Sequence, residues 1–270
     1  MQFEFTLIVE LILLGLCSGF LAGLLGIGGG MVMVPFLTAI LSGRGASAEL
    51  AVKMAIATSM ATIVFTSISS VRAHHKRGAV RWDLVRSLAP GIVLGAAVAS
   101  MGVFSALKGS SLALLFAGFV GFSATQMFLD KKPAASRLLP GQVGLIGAGS
   151  VIGFLSGLVG AGGGFISVPF MVWCNVAIHN SVATSAALGF PIALANAIGY
   201  VISGTQVSEL PHYSLGYIWL PGLFVIACCS VTTAPLGAAA AHKLPVKRLK
   251  RAFAGILYLL ATYMLYRGMT

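Results

Sequence analysis

Charged residues are scarce in this chain. They make up 9% of its 270 residues, whereas a soluble domain carries about 25%. Hydrophobic residues make up 58%, and the mean hydropathy is +0.98. Apolar runs fill most of the sequence and leave little room for a soluble domain. The composition therefore predicts an all-α polytopic membrane protein surrounded by the lipid bilayer.

Acidic residues are scarcer still, with six Asp and Glu against 17 Lys and Arg, which gives a formal net charge of +11. So few acids disfavour the coordination of a transported cation. The basic residues lie in short segments between apolar runs, as the positive-inside rule predicts. Because they do not form one patch, nucleic acid is excluded as a partner.

Motifs for catalysis and metal binding are also missing. The four cysteines lie in or beside apolar runs, without a CxxC pair or the spacing of metal ligands, and buried cysteine usually behaves as a small apolar residue. The chain has no HExxH motif, no paired carboxylates and no nucleophile with a base. We therefore expect no enzyme activity, no metal and no cofactor.

Glycine, in contrast, is abundant, and its arrangement repeats. Residues 19–36 and 153–170 are identical at twelve of eighteen positions without a gap. Each copy holds three consecutive glycines, a short apolar run and a proline. Ala-Thr-Ser follows in both copies, at residues 57–59 and 183–185. The sequence predicts a duplication, with membrane repeats at residues 1–129 and 142–270 and a linker at residues 130–141.

The two repeats are predicted to cross the membrane in opposite directions. Residues 72–86 are basic, but the equivalent residues 203–216 contain no Lys or Arg. Residues 105–110 hold one lysine, whereas residues 242–251 hold five basic residues. Since basic segments stay in the cytoplasm, residues 72–86, 130–141 and 242–251 are predicted to be cytoplasmic. Equivalent loops with opposite charge bias indicate an inverted repeat.

Each repeat is predicted to contain about five helical segments. The apolar runs after the glycines, residues 31–41 and 165–175, reach as helices only about half of a ~30 Å hydrocarbon core. Counting them as crossings gives ten spans, and omitting them gives eight. Each repeat thus combines a glycine-broken helix with a short half-helix.

The three consecutive glycines of each repeat are the first candidate site. Gly15, Gly19 and Gly23, like Gly149, Gly153 and Gly157, have the spacing of close helix packing, but three glycines in a row unwind a helix. The helix that restarts there presents free NH groups and partial positive charge to an anion. A simple hinge is the alternative. The predicted contacts are Gly28, Gly29, Gly30, Met31, Gly162, Gly163, Gly164 and Phe165.

The two Ala-Thr-Ser elements are the second candidate site. Hydroxyl and amide groups are neutral donors suited to an oxyanion, although Ser and Thr in membrane helices often bond to their own backbone. Lys53 and His179 each precede one element by four residues, and they either neutralise the anion or reach the interface. The predicted contacts are Thr58, Ser59, His179, Asn180, Thr184 and Ser185.

Glu10 is the acid that lies clearly inside an apolar run. Because acids at membrane depth are costly and often functional, Glu10 and Lys53 are candidates for coupling transport to H⁺ or Na⁺. Glu10 lies near the start of its run, so it can equally reach the interface. Asn196 either lines the site or joins helices, whereas His74 in the basic segment is expected to be solvated.

These residues resemble the sulfite exporter TauE/SafE family of membrane transporters. The resemblance covers essentially the whole chain and is carried by residues 26–35 with 53–59 and residues 160–169 with 179–185. It implies transport of a small sulfur-containing anion such as sulfite or a sulfonate, commonly outward, across a bacterial inner membrane. Members of the family have seven or eight spans, fewer than the ten counted above.

The predicted function is secondary transport of a small anion by alternating access, with the substrate near the midplane between the two glycine breaks. A passive anion channel with the same site is the alternative. A homo-oligomer is compatible with either function.

Overall fold

The computed structural model describes residues 5–26, 29–129, 137–207, 210–241 and 246–270. Within them the chain forms ten helices and one small β-hairpin. The first five helices are α1 (Phe5–Leu25), α2 (Gly30–Gly43), α3 (Ala48–His75), α4 (Trp82–Ala106) and α5 (Gly109–Leu129). The second five are α6 (Gln142–Val159), α7 (Gly164–Trp173), α8 (Ile178–Gly204), α9 (Leu220–Ala241) and α10 (Val246–Met269). The strands β1 (Ser214–Leu215) and β2 (Ile218–Trp219) pair antiparallel before α9.

Eight of the helices in the described residues are long and apolar enough to cross a membrane. The two short ones are α2 and α7, with 14 and 10 residues. At 1.5 Å per residue they extend about 21 and 15 Å, less than the ~30 Å hydrocarbon core. The predicted all-α polytopic membrane fold is confirmed, and the helix lengths agree with eight spans, the lower of the two predicted counts.

The basic segment at residues 72–86 is mostly helical, which corrects its interpretation as a loop. Helix α3 continues to His75 and α4 starts at Trp82, so residues 76–81 connect them. Cations at the end of α3 complement the helix dipole and therefore prolong the helix. Of the other predicted cytoplasmic segments, residues 130–136 and 242–245 lie outside the described residues.

His74 is buried, which corrects the expectation that it is solvated. Its side chain is 1% exposed, and its Nε2 lies 3.2 Å from the carbonyl oxygen of Gly23 in α1. Because α3 continues through this segment, His74 follows the buried Ser70 by one helical turn and shares its face. The neighbouring His75 is exposed.

Glycines bring α1 and α9 into backbone contact. A Cβ added at Gly15 or Gly23 would collide with the backbone of Ile226 or Ala234, respectively. Gly19 lies between them against the backbone of Ser230. Since the contacts advance in the same direction along both helices, α1 and α9 run parallel. The interpretation of these glycines as packing residues is confirmed.

The same packing occurs between α6 and α4. A Cβ at Gly149 would collide with the carbonyl oxygen of Leu88, and one at Gly153 with that of Ile92. These two helices are therefore also parallel. In the sequence repeat α6 corresponds to α1, and α4 corresponds to α9, so one packing arrangement is used twice. The most buried spanning helices, α3 and α8, pack against each other at the centre.

Contacts between helix ends show that α1 and α3 run in the same direction. Glu10, near the start of α1, pairs with Arg44, just ahead of α3, at 3.4 Å. At the other end, His74 of α3 contacts Gly23 of α1. The starts of α1 and α3 thus lie together, and so do their ends.

Helices α4 and α6 run in the opposite direction. The Nζ of Lys53, near the start of α3, donates to the carbonyl oxygen of Ser105 at the end of α4, 3.4 Å away. Helix α4 is therefore antiparallel to α3, and α6 is parallel to α4. It follows that the equivalent helices α1 and α6 point in opposite directions.

Both short helices fold back along the helix before them. Arg44 follows α2 and pairs with Glu10 near the start of α1. In the second half, the backbone NH of Arg137, ahead of α6, donates to the carbonyl oxygen of Trp173 at the end of α7, 3.3 Å away. Each glycine break therefore reverses the chain.

Candidate functional site

The two glycine breaks have nearly identical backbones. Gly29 precedes α2 with φ 74° and ψ −8°, and Gly163 precedes α7 with φ 74° and ψ −6°. This left-handed conformation is strained for residues with a Cβ. In both halves, the first amides that bond back to this glycine are those three and four residues later. The predicted breaks are confirmed as structural features, while Gly28 lies outside the described residues.

The breaks meet at the centre of the fold. A Cβ added at Gly30 would collide with the carbonyl oxygen of Gly160, and it would lie 2.8 Å from the Cα of Ala161. Gly30, Gly160 and Ala161 are all buried. The start of α2 thus lies against the end of α6 in the interior of the protein. The NH groups of the first turn of each helix have no acceptor within their own helix.

Each predicted serine bonds the break of the other half. The Oγ of Ser59 in α3 donates to the carbonyl oxygen of Gly160 at 3.0 Å. The Oγ of Ser185 in α8 donates to the carbonyl oxygen of Gly26 at 2.9 Å. Ser59 and Ser185 occupy equivalent positions in the sequence repeat, and so do Gly26 and Gly160. The two bonds are therefore the same contact made twice, once from the first half to the second and once from the second half to the first.

The predicted threonines make a second pair of matched contacts. The Oγ1 of Thr58 accepts a hydrogen bond from the backbone NH of Trp219, 2.9 Å away, just ahead of α9. The Oγ1 of Thr184 accepts from the backbone NH of Arg81, 3.0 Å away, just ahead of α4. All four side chains of the two dyads thus reach the other half. They hold the halves together, and a role in substrate contact stays a prediction.

A small cavity lies beside the first break. Four hydroxyl residues line it together with small apolar ones, namely Thr66, Ser67, Ser70 and Ser185 with Ala22, Gly26, Ala186 and Gly189. Its volume is about 10 Å³, roughly the space that one water molecule needs. The residues that line it are all neutral. In this conformation a polyatomic anion does not fit there.

Three buried polar atoms near the breaks have no hydrogen-bond partner among the described residues. They are the Oγ of Ser70, the Oγ of Ser156 and the Oδ1 of Asn196. Ser70 and Asn196 are equivalent in the sequence repeat, and Ser156 touches the break, since a Cβ at Gly163 would lie 2.9 Å from its Oγ. Buried polar groups are normally paired. Their position therefore indicates a place for water, an ion or substrate.

Sequence reasoning singled out Asn196 but missed Ser70 and Ser156. Serine is common in membrane helices, where it usually bonds its own backbone, so no sequence pattern distinguishes these two from other serines. For Ser70 the repeat offers a signal, because the equivalent residue Asn196 shares a face of α8 with Ser185; the residue equivalent to Ser156 is Ala22.

Several other predicted residues are engaged elsewhere. Lys53 is buried, and its Nζ lies 3.2 Å from Glu49, one turn earlier in α3. The Nδ2 of Asn180 donates to the carbonyl oxygen of Ala79 at 2.9 Å, and His179 is exposed.

The remaining predicted residues also have contacts of their own. Glu10 is half exposed and pairs with Arg44, so a cation balances its charge, and a coupling role stays a prediction. Phe165 packs edge-on against Phe119 with ring centroids 4.2 Å apart, and Met31 is fully buried. In the described part of the chain, no three His, Cys, Asp or Glu residues lie together as a metal site would require.

The helices and the buried junction define a polytopic membrane protein with two similarly built halves that meet at broken helices. Residues 11–264 match the family described as Sulfite exporter TauE/SafE. The chain belongs to this family, and it is an integral membrane protein and a membrane transporter.

Several relatives share almost the full length of the chain. It is 38% identical over 262 residues to the "Probable membrane transporter protein" of Haemophilus influenzae, which covers 96% of this chain and 98% of the relative. It is 29% identical over 273 residues to MJ0441 of Methanocaldococcus jannaschii, with 98% of each chain covered. With YunE of Bacillus subtilis it shares 28% identity over 289 residues, covering 96% of this chain and 98% of the relative. No solved structure matches the chain.

Proposed function

We propose that this transporter exports a small sulfur-containing oxyanion or sulfonate as a secondary carrier, across a bacterial inner membrane with its basic segments in the cytoplasm. The family description names sulfite as a substrate. The observation that carries the proposal is the buried meeting of the two glycine breaks, where Gly30 touches Gly160. The N-terminus of α2 then lies in a buried region without acidic side chains, where Ser59 bonds Gly160 and Ser185 bonds Gly26.

The substrate is proposed to bind at the first break. There the amides at the start of α2, Gly30 and Met31, are available as donors, and Ser185 and Ser70 supply hydroxyls. A helix N-terminus stabilises an anion by about 0.3–1 kcal/mol when exposed and up to about 2 kcal/mol when partly buried. Because the hydrogen of Ser185 is donated to Gly26 in the closed state, that serine binds the anion only after this bond opens.

Alternating access is proposed to arise from two inverted repeats, residues 1–129 and 142–270, that rock against each other. The opposite directions of α1 and α6 support this arrangement. Each half contributes one Thr-Ser dyad that bonds the other half. When the transporter opens toward one side of the membrane, the bonds of one dyad break while those of the other dyad remain formed. With the bonds of both dyads formed and a cavity of about 10 Å³, the described conformation is closed.

The closed junction favours a carrier over a passive channel, since a channel needs a continuous path. The proposed coupling ion is H⁺ or Na⁺. Glu10 and Lys53 remain the candidate coupling residues. Both form ion pairs that protonation of the acid would weaken.

The test is counterflow in proteoliposomes. Vesicles loaded with sulfite, thiosulfate, taurine or sulfoacetate are diluted into labelled substrate, with protein-free vesicles as the control. We expect saturable uptake that is stimulated by internal substrate and altered by a pH or Na⁺ gradient. Saturable flux without stimulation from the opposite side would replace the carrier by a channel, and no flux of any anion would overturn the proposal.

A further inference from the structure

A groove lies between α3 and α9 toward the end of α3, and its lining residues are different from those of the cavity beside the first break. Its volume is about 600 Å³. The walls are apolar along most of their length, with Phe65 and Ile68 on α3 and Val231 and Pro235 on α9. The Oγ of Ser69 donates to the carbonyl oxygen of Val231 at 2.7 Å. This bond joins the two helices at the floor of the groove and fixes its shape.

The mouth of the groove is basic. Arg72, Lys76 and Arg77 line it, and all three are exposed. Phe65, Arg72 and Lys76 follow one another at seven and four residues, so they lie along one stripe of the helix. From Phe65 to Lys76 the stripe is about 16 Å long, close to one ~15 Å leaflet of the hydrocarbon core.

The positive charge at this mouth has no carboxylate to balance it in the described part of the chain. The acids described there are Glu10, Glu49 and Asp83, and each pairs with a different cation, respectively Arg44, Lys53 and Arg81. The dipole of α3 offsets only about half of one charge. Three cations beside an apolar groove therefore call for an external anion that also carries an apolar chain.

We infer that this groove binds one anionic phospholipid. The phosphate lies among Arg72, Lys76 and Arg77, and one acyl chain lies along Phe65, Val231 and Pro235. Basic pockets between membrane helices bind anionic head groups in this manner. Since α3 and α9 come from different halves of the chain, the lipid contacts both and stabilises their packing. The inference does not depend on the transported substrate.

The first test is thermal unfolding of the full chain in detergent with added lipid. Phosphatidylglycerol is compared with phosphatidylcholine of the same chains and with soluble glycerol 3-phosphate. We expect phosphatidylglycerol alone to raise the unfolding midpoint, by about 5 °C at a hundred times Kd. An equal rise with phosphatidylcholine would overturn the inference, and an equal rise with glycerol 3-phosphate would show a soluble-anion site instead.

Variants then locate the effect. The pair Arg72→Gln and Lys76→Gln is expected to abolish the rise with phosphatidylglycerol, whereas Arg72→Lys, which keeps the charge, retains most of it. The matched control is Arg86→Gln, an exposed cation of α4 that does not line the groove. An equal loss in the control would mean general attraction to anionic surfaces and would overturn the site.

Native mass spectrometry of the unaltered protein keeps the inference testable if the double variant does not fold. The protein is released from mixed micelles that hold equal amounts of phosphatidylglycerol and phosphatidylcholine. We expect one retained phosphatidylglycerol molecule per chain. Equal retention of the two lipids would contradict the inference.

Discussion

The two glycine breaks differ in the polar groups beside them, with a cavity bordered by hydroxyl groups at the first break and Ser59, Ser156 and Asn196 at the second. Around Gly26 are Ser185, Thr66 and Ser67. An added Cβ would meet Val182 at Gly26, and Val34 and Ile56 at Gly160, so the nearest residue is apolar at both breaks. The backbones of the two breaks are nevertheless almost the same.

The sequence repeat shows how this difference arose. The positions equivalent to Thr66 and Ser67 are Ile192 and Ala193, and the position equivalent to Ser167 is Met33. Ser167 donates to Ser185 at 2.8 Å and extends the polar chain at the first break. The backbone of the break is thus alike in both halves, while the hydroxyl groups of Thr66, Ser67 and Ser167 lack an equivalent in the other half. We expect the first break to bind the anion more strongly.

The largest expected effect on stability comes from placing a larger side chain in the contact between the two breaks. Gly30→Ala places a Cβ against the backbone of Gly160, which cannot move without shifting a second helix. Overpacking of this kind costs about 3 kcal/mol, so a large fall in the unfolding midpoint in detergent is expected. The control is Gly147→Ala in α6, where an added Cβ meets nothing within 4 Å. The control should be neutral or stabilising by up to about 1 kcal/mol, and equal midpoints for both variants would refute the contact.

The serines of the two dyads provide a direct comparison of the breaks. Ser185→Ala removes the bond to Gly26 and also leaves the hydroxyl of Ser167 without this acceptor. Ser59→Ala removes one bond. At about 1–3 kcal/mol for each buried group left unpaired, Ser185→Ala should lower the unfolding midpoint more. It should also reduce counterflow more. A larger effect of Ser59→Ala in both assays would place the important site at the second break.

The threonines differ in the exposure of the amides that they bind. Thr58→Val leaves the NH of Trp219 unpaired, and Trp219 is 1% exposed. Thr184→Val releases the NH of Arg81, which is an exposed residue and can bond water. We expect a loss of about 1–3 kcal/mol for the first variant and under about 1 kcal/mol for the second. Hydrogen exchange at the two amides, together with the unfolding midpoints, checks the order.

The smallest effect on stability is expected at Ser70. Its buried hydroxyl has no partner among the described residues, so Ser70→Ala should leave the midpoint unchanged or raise it by up to about 1 kcal/mol. If the anion binds at the first break, the same variant raises the KM for substrate. Asn196→Ala at the equivalent position loses its bond to the carbonyl oxygen of Ile192 and should lower stability by about 1 kcal/mol. Unchanged transport in Ser70→Ala would remove this hydroxyl from the site.

Much of the fold could be predicted because its signals are local. Long apolar runs require helices in lipid, and three glycines interrupt them, so the ends of α1 and α6 were predictable within a few residues. The end of α3 was not, because the basic residues after Val71 indicated a loop although they also favour a helix C-terminus. The same error placed His74 in solvent.

The candidate site was predictable as a set of residues and not as a set of contacts. Thr58, Ser59, Thr184 and Ser185 were selected by their repetition, and all four lie at the junction of the halves. Their partners are 101 to 161 residues away in the chain, and neither periodicity nor composition carries information about such pairs. Lys53 and Glu10 were selected for their charge, but each is balanced by a cation or an acid nearby.

The amino-acid sequence is enough to predict a helical membrane protein of two related halves, each with a glycine break, because burial in lipid and backbone freedom are properties of short segments. The contact between the breaks and the bonds from each dyad to the opposite half become visible in the folded protein alone. So do the three polar atoms beside the breaks that have no hydrogen-bond partner among the described residues. Those features depend on which helix faces meet, and that is settled by the packing of all ten helices together.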